Sequence, residues 1–380
     1  MLGLALKMLF GDRAKVLGLV FGVAFATLLV TQQGAMFVGL MTRSQNIIAD
    51  AQDVDIWVMD PSVEHPDLIR PMRDVELFKV RGVPGVAWAA PFFKGGAPVR
   101  TQEGRTKGAV ILGVDDATLV GVTQRFIIGS PADLMRPDAI AIDRVGFMQL
   151  WPGEPLSVGK VLELNERRAV VTAITDAAPA FSAQVIIHAR YSQASSYLPS
   201  GRNRLSFILA KAMHGTEPSF VARDITERTG LKAHSSEEFS QQTVRYYLRN
   251  TGIPISFATT ILLGIVVGAA IVGLTFSMFV SENIFQYAML KVIGVTNIRL
   301  VGLVLFQACV VGVIGYAIGT GLAAAFFAFA CTPTSALRGF VLPWWIATAV
   351  AGTILVLILL SSLASLRRVL VVEPAVVFSG

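Results

Sequence analysis

Histidine and cysteine are the residue types with which this chain could bind a transition metal. The sequence contains four of the first and two of the second: His65, His188, His214, His234, Cys309 and Cys331. None of the six stands at the short spacing from another that zinc sites use. Cys309 lies inside an apolar run, which is typical of a small buried hydrophobe. We therefore expect no metal site and no disulfide framework.

Two further patterns point toward catalysis, and neither is complete. The stretch Gly153–Lys160 is similar to a phosphate-binding loop, but it is one residue too long and Val161 stands where Ser or Thr is required. There is no Gly-x-Ser-x-Gly nucleophile motif. The acidic pairs Asp115-Asp116 and Glu237-Glu238 predict a turn and a helix start. We therefore expect no catalytic residue and no cofactor bound by this chain.

Composition indicates a membrane protein. Of the 380 residues, 53% are hydrophobic and only 15% are charged, whereas soluble domains carry about 25% charged residues. The net charge of +6 is not spread evenly, because residues 41–250 hold 24 basic and 23 acidic residues. Most of the positive excess flanks apolar runs, which is typical of membrane topology and argues against a nucleic-acid-binding face.

Four apolar stretches are long enough to cross a membrane, since a span needs about 20 residues. They are 16–40, 253–280, 300–330 and 342–363. The remaining segments are an N-terminal cytoplasmic or interfacial segment 1–15, a large segment 41–250, a loop 281–299 and a tail 364–380. The predicted fold class is an α-helical membrane protein with four transmembrane helices and a large extracytoplasmic α/β domain between helices one and two.

Basic residues near the span ends predict the orientation. Seven lie on the side of both termini: Lys7, Arg13, Lys15, Lys291, Arg299, Arg367 and Arg368. The opposite side has only Arg338 in its short loop. Because short loops rich in Lys and Arg stay in the cytoplasm, both termini are predicted to be cytoplasmic and residues 41–250 to lie outside.

The segment 41–250 contains both strand-like and helix-like patterns of apolar residues. Strands are predicted at Val54–Met59, Val86–Phe93, Gly108–Val114, Ala139–Asp143, Ala169–Thr175, Val185–Ala189 and Leu205–Lys211. Helices are predicted at Leu68–Arg81 and Pro218–Thr229, and a turn at Lys94-Gly95-Gly96. We expect a β-rich insertion within a larger α/β unit. A capping box from Ser235 to Glu238 opens a last helix, 236–250, which leads almost directly into the second span.

Small residues recur at four-residue spacing inside the spans. The pairs are Gly18 and Gly22, Gly264 and Gly268, and Gly315 and Gly319. Glycine at this spacing lets helix backbones approach closely. The pattern indicates helix packing or dimerisation.

The loop after the second span predicts a short amphipathic helix. Ile284, Ala288 and Val292 follow at four-residue steps, and Phe285 and Met289 accompany them on one face. Gly294 would end the helix in a left-handed turn. The apolar face needs a partner, which is another protein, the membrane surface or the protein's own spans.

At this loop the sequence resembles the permease subunits of the MacB/FtsX/LolC superfamily of ABC transporters. The stretch Tyr287–Thr296 matches a Leu-Lys-x-Ile-Gly-type coupling segment, and Val372–Phe378 resembles the family's C-terminal ending. One span, a large outside domain and three clustered spans also match, so the resemblance covers essentially the whole chain.

The resemblance implies a permease homodimer above two separate ATPase subunits that bind ATP and magnesium. The ATPase-coupling residues would be Glu282, Ile284, Phe285, Ala288, Met289, Lys291 and Gly294. Closure of the ATPase would move spans two to four, and the helix 236–250 would transmit the motion to the outside domain.

Within the superfamily, the chain is most similar to DevC-type permeases. The supporting segments are Val58–Val63, Leu112–Leu119, Asn165–Ala169 and Thr243–Pro254. This implies a multi-pass protein of the bacterial inner membrane that exports a lipid, glycolipid or small molecule with a periplasmic adaptor and an outer-membrane duct. The alternative is an FtsX-like signalling permease that activates a periplasmic cell-wall hydrolase, although such proteins have a smaller outside domain. A membrane-anchored enzyme would require the catalytic motifs that the sequence lacks.

Overall fold

The computed structural model describes residues 2–179, 181, 185–198, 204–332, 335 and 337–371, without the side chains of residues 2, 4 and 363–371. The predicted C-terminal motif Val372–Phe378 lies outside the described residues, as do the side chains of Arg367 and Arg368. The chain divides into two compact units. The membrane unit comprises residues 1–39, 252–331 and 340–380, and the large domain comprises residues 40–251 and 332–339.

Helices dominate the membrane unit, whereas strands and short helices build the large domain. The helices are α1 (Leu2–Phe10), α2 (Arg13–Asp50), α3 (Val75–Arg81), α4 (Arg144–Leu150), α5 (Tyr191–Ser196), α6 (Pro218–Thr229), α7 (Ser236–Asn250), α8 (Ile253–Glu282), α9 (Ile284–Val292), α10 (Asn297–Ala330) and α11 (Trp344–Val371). The strands are β1 (Ile56–Met59), β2 (Met72–Arg73), β3 (Val86–Thr101), β4 (Thr106–Val114), β5 (Phe126–Ile128), β6 (Ala139–Asp143), β7 (Val161–Leu164), β8 (Arg167–Thr175), β9 (Val185–Arg190), β10 (Arg204–Leu205), β11 (Phe207–Ala212) and β12 (Lys232–Ser235).

The four predicted membrane spans are confirmed as helices. Long apolar segments of α2, α8, α10 and α11 are each sufficient to cross a bilayer. The helix of the first span, α2, is longer than the predicted 16–40. It continues through a polar segment to Asp50, and the backbone turns at Asp53, which has φ of +62°. Ahead of it, the segment predicted only as an N-terminal extension forms the separate helix α1.

The six glycines of the spaced pairs lie at contacts between helices of one chain. A Cβ built on Gly22 would lie 2.6 Å from Ile271 Cγ2 of α8, and one on Gly315 would lie 2.6 Å from Val23 Cβ of α2. The other four face neighbouring helices in the same way: Gly18 faces Thr275, Gly264 faces Leu29, Gly268 faces Ala26, and Gly319 faces Thr27 and the carbonyl of Ala24. The absence of a side chain thus lets α2 approach both α8 and α10.

A mixed sheet forms the large domain. Nine strands follow the order β12-β1-β11-β3-β4-β9-β6-β8-β5, and β7 pairs with both β3 and β8. The pairs β4–β9 and β6–β8 are parallel, and the others are antiparallel. Buried apolar clusters pack against the sheet, and Trp57 lies at the centre of one of them, 5.5 Å from the ring of Phe92. This architecture confirms the predicted α/β domain.

Two local predictions for this domain are wrong. The Lys94-Gly95-Gly96 segment does not turn but continues β3 and pairs with Val110–Leu112 of β4. A Cβ on Gly95 would lie 3.0 Å from Leu198, so that glycine makes room for a packed side chain. The predicted helix Leu68–Arg81 begins only at Val75, because Pro71 lacks an amide hydrogen and Met72–Arg73 pairs with β10.

Candidate functional site

The predicted amphipathic helix between the second and third spans is present as α9. A single residue, Asn283, separates it from the end of α8. Gly294 has φ of +93°, a left-handed conformation that glycine adopts without steric cost. Its amide donates to the carbonyl of Lys291 at 3.0 Å. The sequence therefore gives a short helix with a defined end, as predicted.

The two faces of α9 differ from the predicted pattern. Tyr287 and Ala288 are fully buried in the membrane unit, so the prediction that Ala288 lies on the partner-binding face is wrong. Ile284 and Lys291 are partly buried. The exposed apolar residues are between 44% and 74% accessible and follow one another at helical spacing: Phe285, Met289, Val292 and Ile293. A soluble partner or a membrane surface would have to cover this face.

A buried hydrogen-bond chain fixes the opposite face. The hydroxyl of Tyr287 donates to Gln307 Oε1 of α10 at 3.1 Å, and Gln307 Nε2 donates to the carbonyl of Ala5 in α1 at 2.9 Å. Burial raises the pKa of Tyr287 above its usual value. Three helices are thereby joined at α9. Sequence reasoning missed this chain because Tyr287 and Gln307 are 20 residues apart.

Charged residues join the ends of two spans beside α9. Lys15, near the start of α2, pairs with Asp12 at 2.5 Å and also with Glu282, the last residue of α8. The hydrogen bond from Lys15 lowers the pKa of Asp12. The cleft around this cluster has a volume of about 460 Å³ and is lined by Lys7, Met8, Gly11, Asp12, Lys15, Glu282, Asn283 and Gln286. Glu282, predicted to contact an ATPase, is thus already paired but still half exposed.

The helix α7 is attached to the large domain at both ends. At its start the predicted capping box is confirmed, since Glu238 N donates to Ser235 Oγ at 3.2 Å and Ser235 N donates to Glu238 Oε2 at 3.0 Å. Next to this cap, Phe239 is fully buried and packs on Trp57. Near its end, Tyr247 donates a hydrogen bond of 3.0 Å to Asp67 Oδ2.

Asp67 also accepts from a buried lysine. Lys94 Nζ lies 2.6 Å from Asp67 Oδ1 and 2.8 Å from the carbonyl of Pro66. Burial opposes the ionisation of Asp67, but the Lys94 ammonium and the hydrogen bonds outweigh burial and lower its pKa below the usual value. Burial also disfavours the charged ammonium of Lys94 and so lowers its pKa. These contacts join the last turn of α7 to β3.

The short segment between α10 and α11 belongs to the large domain. Its Arg338 side chain is buried and lies against the equally buried Asp143, with Nη1 2.6 Å from Oδ2. Asp143 also accepts from the amides of Gly146 and Ile186 at 3.1 and 2.8 Å. The side chain of Arg43 donates to the carbonyl of Arg338. Segments far apart in sequence therefore meet at one ion pair.

Two family models match the chain. The model described as the MacB-like periplasmic core domain matches residues 16–228, which is more than half of the chain. The model described as the FtsX-like permease C-terminal matches residues 258–374. This chain belongs to the MacB/FtsX/LolC superfamily. It is a permease of the ABC-transporter class, and the family implies a membrane location and a partner ATPase.

Solved structures similar to this permease cover about half of it. The extracellular domain of the noncanonic ABC-type transporter YknZ from Gram-positive bacteria is 14% identical, covers 48% of this chain and 98% of its own, and has a TM-score of 0.34. The periplasmic region of MacB from Actinobacillus actinomycetemcomitans is 10% identical, with coverages of 51% and 94% and a TM-score of 0.38. A domain of a permease from Porphyromonas gingivalis is 16% identical, with coverages of 50% and 90% and a TM-score of 0.32.

The family of this chain is therefore assigned from the two family models. No curated protein matches its sequence. Among the described residues, no three His, Cys, Asp or Glu side chains come together as metal ligands.

Proposed function

We propose that this permease converts ATP hydrolysis on a separate ATPase into movement of its large domain, and that α9 is the docking element. The exposed apolar face of α9 carries this proposal. Its residues Phe285, Met289 and Val292 are exposed, while Tyr287 on the other face is buried and is joined through Gln307 of α10 to α1. A helix that is anchored on one face and apolar on the other is suited to transmit a push from a bound partner.

The path from α9 to the large domain follows the chain. Movement of α9 would displace α8, which α7 precedes with only Thr251 and Gly252 between them. The large domain holds α7 through Phe239 at its start and through Tyr247 near its end. A second path would use α10 and α11, because the segment between them is fixed by the Arg338–Asp143 ion pair.

The sidedness and assembly are part of the same proposal. Lys and Arg flank the spans on the side of both termini, which supports cytoplasmic termini, a bacterial inner-membrane location and a large domain in the periplasm. A reporter fused at Ser130 should then be active only outside the cytoplasm, and one fused at Gly380 only inside. Opposite readings would contradict this orientation. We also propose a homodimer, as the resemblance implies, with the six packing glycines used within each protomer.

The proposed task is export or extraction of an envelope substrate such as a lipid, glycolipid or small molecule. The DevC-like segments support cooperation with a periplasmic adaptor and an outer-membrane duct. The large domain of about 210 residues supports this role over activation of a cell-wall hydrolase.

Co-purification tests the docking element. We would isolate the full-length chain from its native membrane and compare it with Phe285→Asp/Met289→Asp and with the control Gln286→Ala, a neighbouring exposed polar residue of α9. The wild type and the control should retain a protein with the ABC ATPase signature, and the double variant should lose it while remaining inserted. Retention of the ATPase by the double variant would contradict the proposal. A cell-wall hydrolase in place of an adaptor would favour signalling over export.

A further inference from the structure

A second charged cleft lies in the large domain, beside the last turns of α7. Its volume is about 270 Å³, and it is lined by Glu64, Lys232, Gln242, Arg245, Tyr246, Arg249 and Asn250. Arg245 and Arg249 stand one helical turn apart on α7, and both are exposed. Lys232 reaches the cleft from β12, where its Nζ donates to the carbonyl of Val63 at 2.8 Å.

The lining has an excess of positive charge. Three cationic side chains face a single carboxylate, that of Glu64, so two positive charges remain uncompensated. Among the described residues, no carboxylate lies within ion-pair distance of Arg245 or Arg249. Guanidinium groups bind phosphate oxygens through paired hydrogen bonds. The cleft therefore presents two forked donors to an anion.

The positive excess distinguishes this cleft from another charged cleft of the domain. This balanced cleft, of about 310 Å³, is lined by two arginines and two glutamates: Arg100, Arg168, Glu163 and Glu166. Its charges cancel, and Arg168 lies 3.7 Å from the carboxylate of Asp138. The two clefts are similar in size and in residue types, but only the one on α7 has more cationic than acidic side chains.

Arg249 is close in sequence to the second membrane span. Arg249 precedes Ile253, the first residue of the span α8, by four residues. Four residues of chain reach about 14 Å at most, and this short connection supports a ligand from the head-group layer. The same turn of α7 carries the amphipathic Tyr246 and the exposed apolar Leu248. Cationic, aromatic and apolar residues in one turn are typical of a membrane interface.

We propose that this cleft binds the phosphate of an anionic phospholipid head group. Arg245 and Arg249 would hold the phosphate oxygens, Lys232 would supply a third positive charge, and Leu248 would contact the acyl region. The inference goes beyond docking of the ATPase, because it assigns a ligand to the large domain and does not depend on α9.

Native mass spectrometry of the full-length chain in a non-ionic detergent tests the proposal. Phosphatidylglycerol would be titrated into the wild type and into Arg245→Gln/Arg249→Gln, with zwitterionic phosphatidylcholine in parallel. We expect the wild type to prefer phosphatidylglycerol and the double variant to bind it about tenfold more weakly, since each interfacial cation contributes to anionic-lipid binding. Arg245→Lys/Arg249→Lys, which keeps the charge, should weaken the binding of phosphatidylglycerol by less than about threefold.

The matched control is Arg100→Gln/Arg168→Gln, which removes the same charge from the balanced cleft and should leave lipid binding unchanged. Equal affinity of the wild type and Arg245→Gln/Arg249→Gln, or an equal loss in the control, would overturn the proposal. Binding of inorganic phosphate with the same dependence on both arginines, without preference between the two lipids, would assign the cleft to soluble phosphate instead. Unchanged lipid binding together with loss of a co-purifying acidic protein would assign it to a protein partner.

Discussion

Arg338 Nη1 lies 2.6 Å from Asp143 Oδ2, and both side chains are more than nine-tenths buried. The segment between the third and fourth spans is thereby fixed to strand β6 of the large domain. The charge pattern counts Arg338 as the one basic residue in the short loop opposite the termini. Because its charge is paired inside the large domain, it does not offset the seven basic residues that flank the spans on the side of the termini.

Removal of either partner should destabilise the protein, because the remaining charge would be buried without compensation. We expect Asp143→Asn and Arg338→Met each to lower the free energy of unfolding by about 3 kcal/mol. Thermal unfolding of the full chain in detergent measures this loss. The control Arg136→Gln breaks the exposed pair with Asp133 and should cost less than about 1 kcal/mol. Equal effects in the buried and exposed pairs would contradict the assignment.

The hydrogen-bond chain beneath α9 predicts a loss of coupling without loss of docking. Tyr287→Phe removes the donor to Gln307 and leaves a buried oxygen unsatisfied, which should cost about 1–3 kcal/mol of stability. The exposed face remains intact, so the ATPase should still co-purify while its stimulation by the permease falls. Normal stimulation of the ATPase by this variant would remove the chain from the transmission path. Gln286→Ala, on the exposed side, serves as control.

The Lys94–Asp67 pair predicts a pH dependence at the end of α7. The pKa of Asp67 is lower in the folded protein than its usual value of 3.8, so the unfolded state binds its proton more tightly. The stabilisation from this group is therefore complete above about pH 4 and is lost as the pH falls through the lower, folded pKa. Thermal unfolding between pH 6 and 3 should show a shallower acid loss in Asp67→Asn than in the wild type. Parallel curves would show that the contact contributes nothing.

Two glycines of the same helix provide a matched pair for helix packing. A Cβ on Gly268 would collide with Ala26 of α2, whereas one on Gly273 would have no neighbour within 4 Å. We expect Gly268→Ala to destabilise the membrane unit by about 1–3 kcal/mol through overpacking. Gly273→Ala should be neutral or stabilising, because alanine favours the helix. Thermal unfolding in one detergent compares them, and equal stability would contradict the close approach of α2 and α8.

Periodicity was sufficient for elements whose local preference agrees with their surroundings. The strand Ala139–Asp143 and the helix Pro218–Thr229 have the predicted bounds, and Gly230 ends that helix with φ of +71°. The four spans were equally clear, since their length and hydropathy are set by the membrane. The cap at Ser235 likewise depends only on a residue three positions away.

Long-range contacts account for the failures. Gly95 resembles a turn residue, but its role is to admit Leu198 against a continuous strand. Ala288 satisfies the apolar pattern of α9, yet helical spacing alone cannot tell which apolar residues face the protein's own spans. The partner of Arg338, Asp143, lies 195 residues away in the sequence, and no local pattern predicts that the two pair. The candidate site was therefore located from the sequence, but its orientation was not.

Site-specific photo-cross-linking tests most directly whether the exposed face of α9 contacts an ATPase. A benzophenone side chain would replace Met289 in the full-length protein in its native membrane. The control places it at Val313, an exposed apolar residue of the span α10 that should face lipid. We predict a cross-link from position 289 to a protein with the ABC ATPase signature and none from position 313. Cross-links from position 289 only to lipid or to the permease itself would show that this face does not bind an ATPase.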